Sequence, residues 1–459
     1  MIKTNLTEGN ISNVLLKLAL PIMGTSFVQT AYNLTDMFWV GKLGSNAVAA
    51  VGTAGFFTWL SMAFIFISKI GAEVGVAQAV GRDDIKEARS YIKSAIQINV
   101  LLALLYGGSL MLFRNPLIQF FGIEDSNVVS QAVGYLSIIG FGMIFGFINP
   151  VFTAILNGSG NSKTPFKINV IGLLINMTLD PLLILGIGPF PALGVKGAAI
   201  ATVFSQMMVS LIFISTIRKD PELFRGLNLL KLSGETKVKE ISRLGLAPAV
   251  QSGLFTVFAM FIARIVADWG SIPVAVQRIG SQVEAISWMT AGGFSTAISA
   301  FTGQNYGAEK WDRIKKGYYK AVTLAGGVGI FATLLLIFGG EAIFRLFLAE
   351  EEAVRMGIDY LRILGYSQIF MCVEITTGGA FNGMGKTVPP SVVGIFFNAL
   401  RIPLAIILSS MDSLGLNGVW WSISSTSIFK GIVLVIWFMI VLTTHLAAKK
   451  ENNLIVESV

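Results

Sequence analysis

Asn157-Gly158-Ser159-Gly160, followed by Lys163-Thr164-Pro165, Gly172 to Asn176 and Pro181, has a second copy later in the chain. There Asn382-Gly383-Met384-Gly385-Lys386-Thr387 precedes a proline pair, Gly394 to Asn398 and Pro403. Two further anchors keep the same spacing. Gln78 to Gly81 with Asp83-Asp84 matches Gln304 to Gly307 with Glu309-Lys310, and Gly194-Val195-Lys196-Gly197 matches Gly415-Leu416-Asn417-Gly418. Each offset is about 225 residues, roughly half the chain, as in the internal repeats common among transporters.

Of the 459 residues, 54% are hydrophobic and only 13% charged. A soluble domain carries about 25% charged residues, so the apolar surface must turn toward lipid. Disorder, collagen-like repeats and a disulfide scaffold are excluded, the last because Cys372 is the single cysteine. One Cys and one His, His445, leave no zinc site and no Cys/His nucleophile pair. The net charge of +8 forms no basic face, so no nucleic-acid partner is expected. The pattern is that of an all-α membrane protein.

About twelve apolar stretches are long enough to cross a bilayer. They fall at 14–40, 47–80, 87–113, 128–156, 165–185 and 195–217, then at 241–267, 272–304, 312–338, 352–381, 390–409 and 418–442. Basic residues gather in alternate loops: Arg82, Lys86 and Arg89; Lys163 and Lys167; Arg218, Lys219, Arg225, Lys231, Lys237, Lys239 and Arg243; Lys310, Arg313, Lys315 and Lys316; and terminal Lys449 and Lys450. The positive-inside rule makes these loops and both termini cytoplasmic, in a cell inner membrane. The first residues lack a signal-peptide cleavage pattern. An even number of crossings per half makes the two copies parallel. The expected organisation is an N-lobe at 1–217, a charged cytoplasmic linker at 218–240 and a C-lobe at 241–459, two six-helix bundles around a central cleft in a monomer.

A charge at the bilayer centre costs at least about 2.5–3.5 kcal/mol, so charges placed there are functional candidates. Asp36 lies deep in the first span, sharing a helical face with Gln29 and Tyr32; Asp180 shares one with Asn176. Pro21 and Pro181 free backbone carbonyls within their helices. Thr202 stands one turn after Ala198. The repeat supplies an internal control, pairing Asp36 with Ile262, Asp180 with Ile402 and Thr202 with Ile423, whereas Asn176 pairs with Asn398. The scaffold therefore does not need oxygen at the first three places. Two neighbouring carboxylates in a low-dielectric site titrate as a pair, able to hold and release a proton. With amide, hydroxyl and carbonyl oxygens beside them they can instead hold a hard cation such as Na⁺.

The second half has its own ionisable residues, Arg264, Arg278, Glu284, Glu374 and Arg401, which either pair with one another or face a substrate, Glu284 and Glu374 being the better cation contacts. Lys69 and Lys430 are expected to snorkel or pair. The stretch Ala380 to Thr387 nearly matches a P-loop, but no strand precedes it, so it is a helix-terminating turn. Asp84 with Glu87 is a capping box. Trp420-Trp421 and Tyr318-Tyr319 are expected as interfacial anchors.

At these residues the sequence resembles the multidrug and toxic compound extrusion (MATE) family, most closely its DinF-like prokaryotic branch. The marks are Pro21 with Tyr32-Asn33-Leu34-Thr35-Asp36 and Trp39-Val40-Gly41, Gly303-Gln304 with Gly307-Ala308, Asn176 with Leu179-Asp180-Pro181, and Gly197 to Thr202. The resemblance implies export of cationic amphipathic drugs in exchange for H⁺ or Na⁺, with no other cofactor. It maps the proton or cation site onto Asp36, Asn176, Asp180, Thr202 and the Ala198 carbonyl, and the substrate cavity onto Gln29, Tyr32 and Trp39. Ser252 to Phe258 holds no carboxylate, unlike the NorM-like branch. The nearest rival is a flippase for lipid-linked sugars, which would want Arg264, Arg278 and Arg401 in a cationic cleft. An enzyme is not expected, since no intramembrane nucleophile, metal cluster or cofactor motif occurs. A receptor or scaffold would not explain buried acids in one half of a duplicated chain.

The topology is testable with a membrane-impermeant thiol reagent in a Cys372→Ser background. A cysteine at Ser233 should react only from the cytoplasmic side, and one at Asp412 only from the outside.

Overall fold

The computed structural model describes residues 5–220, 222–224, 226–229, 231–347 and 350–457, with side chains to residue 447. Arg225 and the side chains of Lys449 and Lys450 lie outside the described residues. Among those described, every regular element is a helix. The first half holds α1 (Ile11–Gly41), α2 (Ser45–Gly81), α3 (Ile85–Leu112), α4 (Arg114–Gln119), α5 (Ser126–Gly158), α6 (Lys163–Leu185) and α7 (Val195–Ile217). The second holds α8 (Glu235–Ala267), α9 (Ser271–Gly307), α10 (Trp311–Arg345), α11 (Glu351–Gly365), α12 (Gln368–Gly383), α13 (Val388–Ser409) and α14 (Leu416–Glu457).

Ten of these helices are long and apolar enough to cross a membrane. The two other expected crossings differ for chemical reasons. α9 carries Gln277, Arg278, Gln282 and Glu284 in its first half. The stretch at 352–381 is divided into α11 and α12 at Tyr366-Ser367. There Ser367 Oγ and Gln368 Nε2 both donate to the Leu364 carbonyl, at 2.9 and 3.2 Å, and Thr333 Oγ1 takes the Gly365 carbonyl at 2.8 Å. Such side-chain competition for backbone acceptors interrupts a helix. Outward positions such as Leu104, Leu112, Phe141 and Phe338 are exposed, as a lipid-facing surface requires.

The chain forms two compact units, residues 20–249 and residues 5–19 with 250–457. Each unit repeats the same pairings. In the first, α2 packs on α3 and α5, α5 on α7, and α6 on α7; in the second, α9 packs on α10 and α12, α12 on α14, and α13 on α14. The turns repeat in detail. After α5, Ser159, Gly160 and Asn161 donate to Ile155, Asn157 and Leu156, with Gly160 at φ +87°. After α12, Met384, Gly385 and Lys386 donate to Ala380, Asn382 and Phe381, with Gly385 at φ +74°. Glycine in the left-handed region closes both helices, so the P-loop look-alike is a helix terminus.

Close approach repeats as well. A Cβ on Gly158 would meet the Glu73 carbonyl at 2.5 Å, and one on its copy Gly383 would meet the Ser299 carbonyl at 2.4 Å. Small residues at such points let helix backbones touch.

Two expectations change. Trp420 and Tyr318 are fully buried rather than interfacial: Trp420 Nε1 donates to Gln277 Oε1 at 3.2 Å, and the Tyr318 hydroxyl lies 3.0 Å from Thr377 Oγ1. A buried aromatic with a polar tip needs such a partner; the neighbours Trp421 and Tyr319 keep more exposure. The capping box is one-sided, because Asp84 accepts from the Glu87 N–H at 2.8 Å while the Glu87 carboxylate turns to Arg82 and Lys237, at 2.6 and 2.8 Å. The segment read as a linker is docked on α3. Gln97 Nε2 donates to the Leu229 and Lys231 carbonyls at 2.7 and 2.8 Å, and Leu223 is fully buried.

Gly158→Ala and Gly383→Ala should each lower the melting temperature in detergent, by an overpacking cost of about 1–3 kcal/mol. Gly292→Ala, with open space around its Cβ, should leave the melt unchanged.

Candidate functional site

The site lies within the first unit, where α1, α6 and α7 each contribute oxygen. Asn176 and Asp180 sit one turn apart on α6 and are fully buried, because the i,i+4 spacing sets both on one helical face. Asn176 Nδ2 donates to Asp180 Oδ1 and to Asp36 Oδ1 of α1, each at 3.1 Å. Thr202 Oγ1 of α7 donates to the other Asp36 oxygen at 3.1 Å. The Tyr32 hydroxyl, one turn before Asp36, donates to the Thr202 carbonyl at 3.2 Å.

What the arrangement lacks matters as much. Among the described residues neither acid has an ion pair with a lysine or arginine. Asp180 Oδ2 and Asn176 Oδ1 are buried and receive no N–H or hydroxyl donor, and the carboxyl groups of Asp180 and Asp36 face each other within hydrogen-bond reach. Buried polar atoms left in that state are costly and call for an explanation. Two carboxyl groups, an amide oxygen and a hydroxyl form a hard-oxygen donor set that suits a proton or Na⁺.

Around this centre, Ala198 is buried on α7 one turn before Thr202. Pro21 and Pro181 lie inside α1 and α6, each removing a backbone donor from its helix. Gln29 is exposed, and Trp39 is half-buried, edge-on to Phe38 at 5.0 Å between centroids. Gln29 and Trp39 therefore do not join the hydrogen-bonded cluster, whereas Tyr32 does.

The repeat passes a structural check. Ile262, Ile402 and Ile423, the counterparts of Asp36, Asp180 and Thr202, come together in one apolar cluster with Val266, Ala405 and Val419. The same corner of the fold is oxygen-lined in one unit and hydrocarbon in the other.

Charges of the second unit behave separately. Glu374 pairs with Lys430 at 3.3 Å, both side chains nearly buried. Arg264 pairs with Asp268 at 3.6 Å on an exposed face, and Arg278 is exposed on α9. Arg401 instead donates from Nε to Thr426 Oγ1 at 3.0 Å and from Nη2 to Ser427 Oγ at 2.8 Å. Glu284 adjoins Tyr360, and its Oε1 is buried without a partner. The hydroxyls that hold Arg401 escaped sequence reasoning, because Ser and Thr in apolar helices usually bond their own backbone.

Known proteins share this architecture. The MatE family model matches residues 21–182 and 247–407, once in each half. A relative named probable multidrug resistance protein NorM, from Thermotoga maritima, is 28% identical over 94% of this chain and 92% of its own. Probable multidrug resistance protein YoeA of Bacillus subtilis is 28% identical over 87% of each chain. Among solved structures, a MOP superfamily transporter from Pyrococcus furiosus superposes with a TM-score of 0.88 at 23% identity, covering 96% of this chain and 99% of its own. At that identity the match speaks for the fold.

Asn176→Leu removes the donor shared by both acids and should destabilise the protein by about 1–3 kcal/mol, read as a lower melting temperature. Asn398→Leu, at a copy that bridges no carboxyl, should cost less.

Proposed function

The chain belongs to the MatE family, and from that premise we propose a secondary active antiporter that exports cationic amphipathic compounds in exchange for H⁺ or Na⁺. The observation that carries the proposal is the bridged set Asp36–Asn176–Asp180, with Asn176 and Asp180 fully buried, Asp36 half-buried, and no lysine or arginine among the described residues paired with either acid.

Two carboxyl groups held together by one amide concentrate negative charge at one point. A proton or Na⁺ entering the site offsets that charge. When the ion leaves, the charge repels itself and draws in a cation. The residues divide the work: Asp36 and Asp180 hold the charge, and Asn176 keeps both carboxyls in register. Thr202 orients Asp36, while the Ala198 carbonyl is a further oxygen for a bound cation. Tyr32, tied to Thr202, links this centre to a substrate surface that includes Gln29 and Trp39. An organic cation and the coupling ion then compete for one negative charge, and each favours the conformation that it binds better. Pro21 and Pro181 soften the two helices that must adjust. The basic loops and both termini are cytoplasmic, in a cell inner membrane.

The dry counterpart at Ile262, Ile402 and Ile423 supports coupling through the first unit alone. A flippase for a lipid-linked diphosphate has less behind it, since Arg264 is already paired with Asp268 at 3.6 Å and Arg401 is engaged by Thr426 and Ser427.

The decisive measurement is dye efflux by the full-length protein in liposomes, with pH and Na⁺ gradients imposed separately. One gradient should drive efflux, and Asp36→Asn should abolish it while the melting temperature stays near wild type. Gradient-driven efflux by Asp36→Asn would overturn the assignment.

A further inference from the structure

Among the ionisable side chains of the second unit, Glu374 on α12 and Lys430 on α14 are buried, and Glu284 on α9 and Arg401 on α13 are half-buried. The repeat shows that the scaffold does not need them. In the first unit the position of Glu374 is taken by Asn149, that of Ser427 by Gln206, that of Lys430 by Val209 and that of Arg401 by Leu179. Asn149 Nδ2 donates there to the Gln206 carbonyl and to Gln206 Oε1 at 2.9 and 2.8 Å, and Ser210 Oγ donates to Asn149 Oδ1 at 2.7 Å. A neutral network thus ties α5 to α7. The equivalent tie between α12 and α14 is an ion pair, with a guanidinium added beside it.

That guanidinium is under-compensated. Arg401 is more than two turns from either end of α13. Its Nε and Nη2 are held by neutral hydroxyls, and among the described residues Nη1 has no hydrogen-bond partner. Glu374 and Glu284 act on its charge from a distance, but neither comes within ion-pair range. A charge sunk in a membrane helix with only hydroxyl partners is costly. Thr426 and Ser427 fix the fork in one orientation and leave one edge available, the geometry that matches a carboxylate or phosphate. Lys430 follows Ser427 by three residues, so both stand on one face of α14. Its pair with Glu374, at 3.3 Å, is longer than a tight charge-assisted bond of about 2.7–2.9 Å, and the ammonium has further donors to offer.

The geometry points to an anion-binding subsite in the second unit: Arg401, seconded by Lys430, receives the carboxylate or phosphate of the transported molecule. This rests on the transporter reading and narrows its substrate class to amphiphiles that carry an anionic group besides their positive one. Glu374 is the resident carboxylate that holds Lys430 until such a group arrives.

A matched pair of dyes tests this, a rhodamine with a free carboxylate and its ethyl ester, bound to the full-length protein in phosphatidylcholine nanodiscs and followed by fluorescence polarisation. Wild type should prefer the carboxylate dye. Arg401→Gln should weaken that dye about tenfold or more while the ester stays within about twofold, with Arg401→Lys in between, as expected when a charged fork loses its partner. Ser427→Ala, which only loosens the fork, should give a smaller loss confined to the carboxylate dye and covers the case in which Arg401→Gln unfolds. Equal effects of these variants on both dyes, or no effect on either, would overturn the subsite. Loss of the carboxylate preference when phosphatidylglycerol replaces phosphatidylcholine would assign the fork to a lipid headgroup and overturn it too. Because equilibrium binding uses no gradient, such a failure leaves the coupling proposal, read by efflux, standing.

Discussion

A carboxylate inside hydrocarbon must find compensation, and the first unit is organised around that demand. Asp36 and Asp180 come from different helices and share one amide, Asn176, whose nitrogen donates to both. This single contact fixes α1 against α6, and Thr202 and Tyr32 fix α7 to the same point. The compensation is incomplete, since two buried acceptors receive no N–H or hydroxyl donor.

Duplication makes the specialisation visible. Both units keep the same helix pairings, the same left-handed glycine turns and the same close approach of Gly158 or Gly383 to a neighbouring backbone. These shared features are the fold. The differences lie on top of it: acids against the isoleucine cluster in one corner, and a neutral amide network against an ion pair and a guanidinium in another. Each unit has placed charge where the other does without it. A buried pair such as Glu374–Lys430 is weak evidence for stability, because desolvating both ions offsets much of their attraction.

Much of this was legible in the residues. A charge content of 13% and the apolar run lengths announced a membrane bundle, since lipid is the one solvent that such a surface tolerates. The repeat announced two units and singled out Asp36, Asp180 and Thr202 as departures from its pattern. Less legible were the break between α11 and α12, set by side chains that compete for the Leu364 and Gly365 carbonyls, and the burial of Trp420 and Tyr318. A tryptophan in an apolar run looks the same whether its nitrogen meets headgroups or Gln277.

Composition, periodicity and duplication are one-dimensional, and they determined the class, the number of units and the acids that stand out. They did so because hydrocarbon admits few solutions for a backbone and penalises every charge. Which helices meet is a three-dimensional matter. Only the packed structure decided that one amide serves two carboxyls, that three isoleucines close the matching corner, and that Arg401 is held by Thr426 and Ser427. Distance and direction between helices set those contacts, and neither is written in the order of residues along one of them.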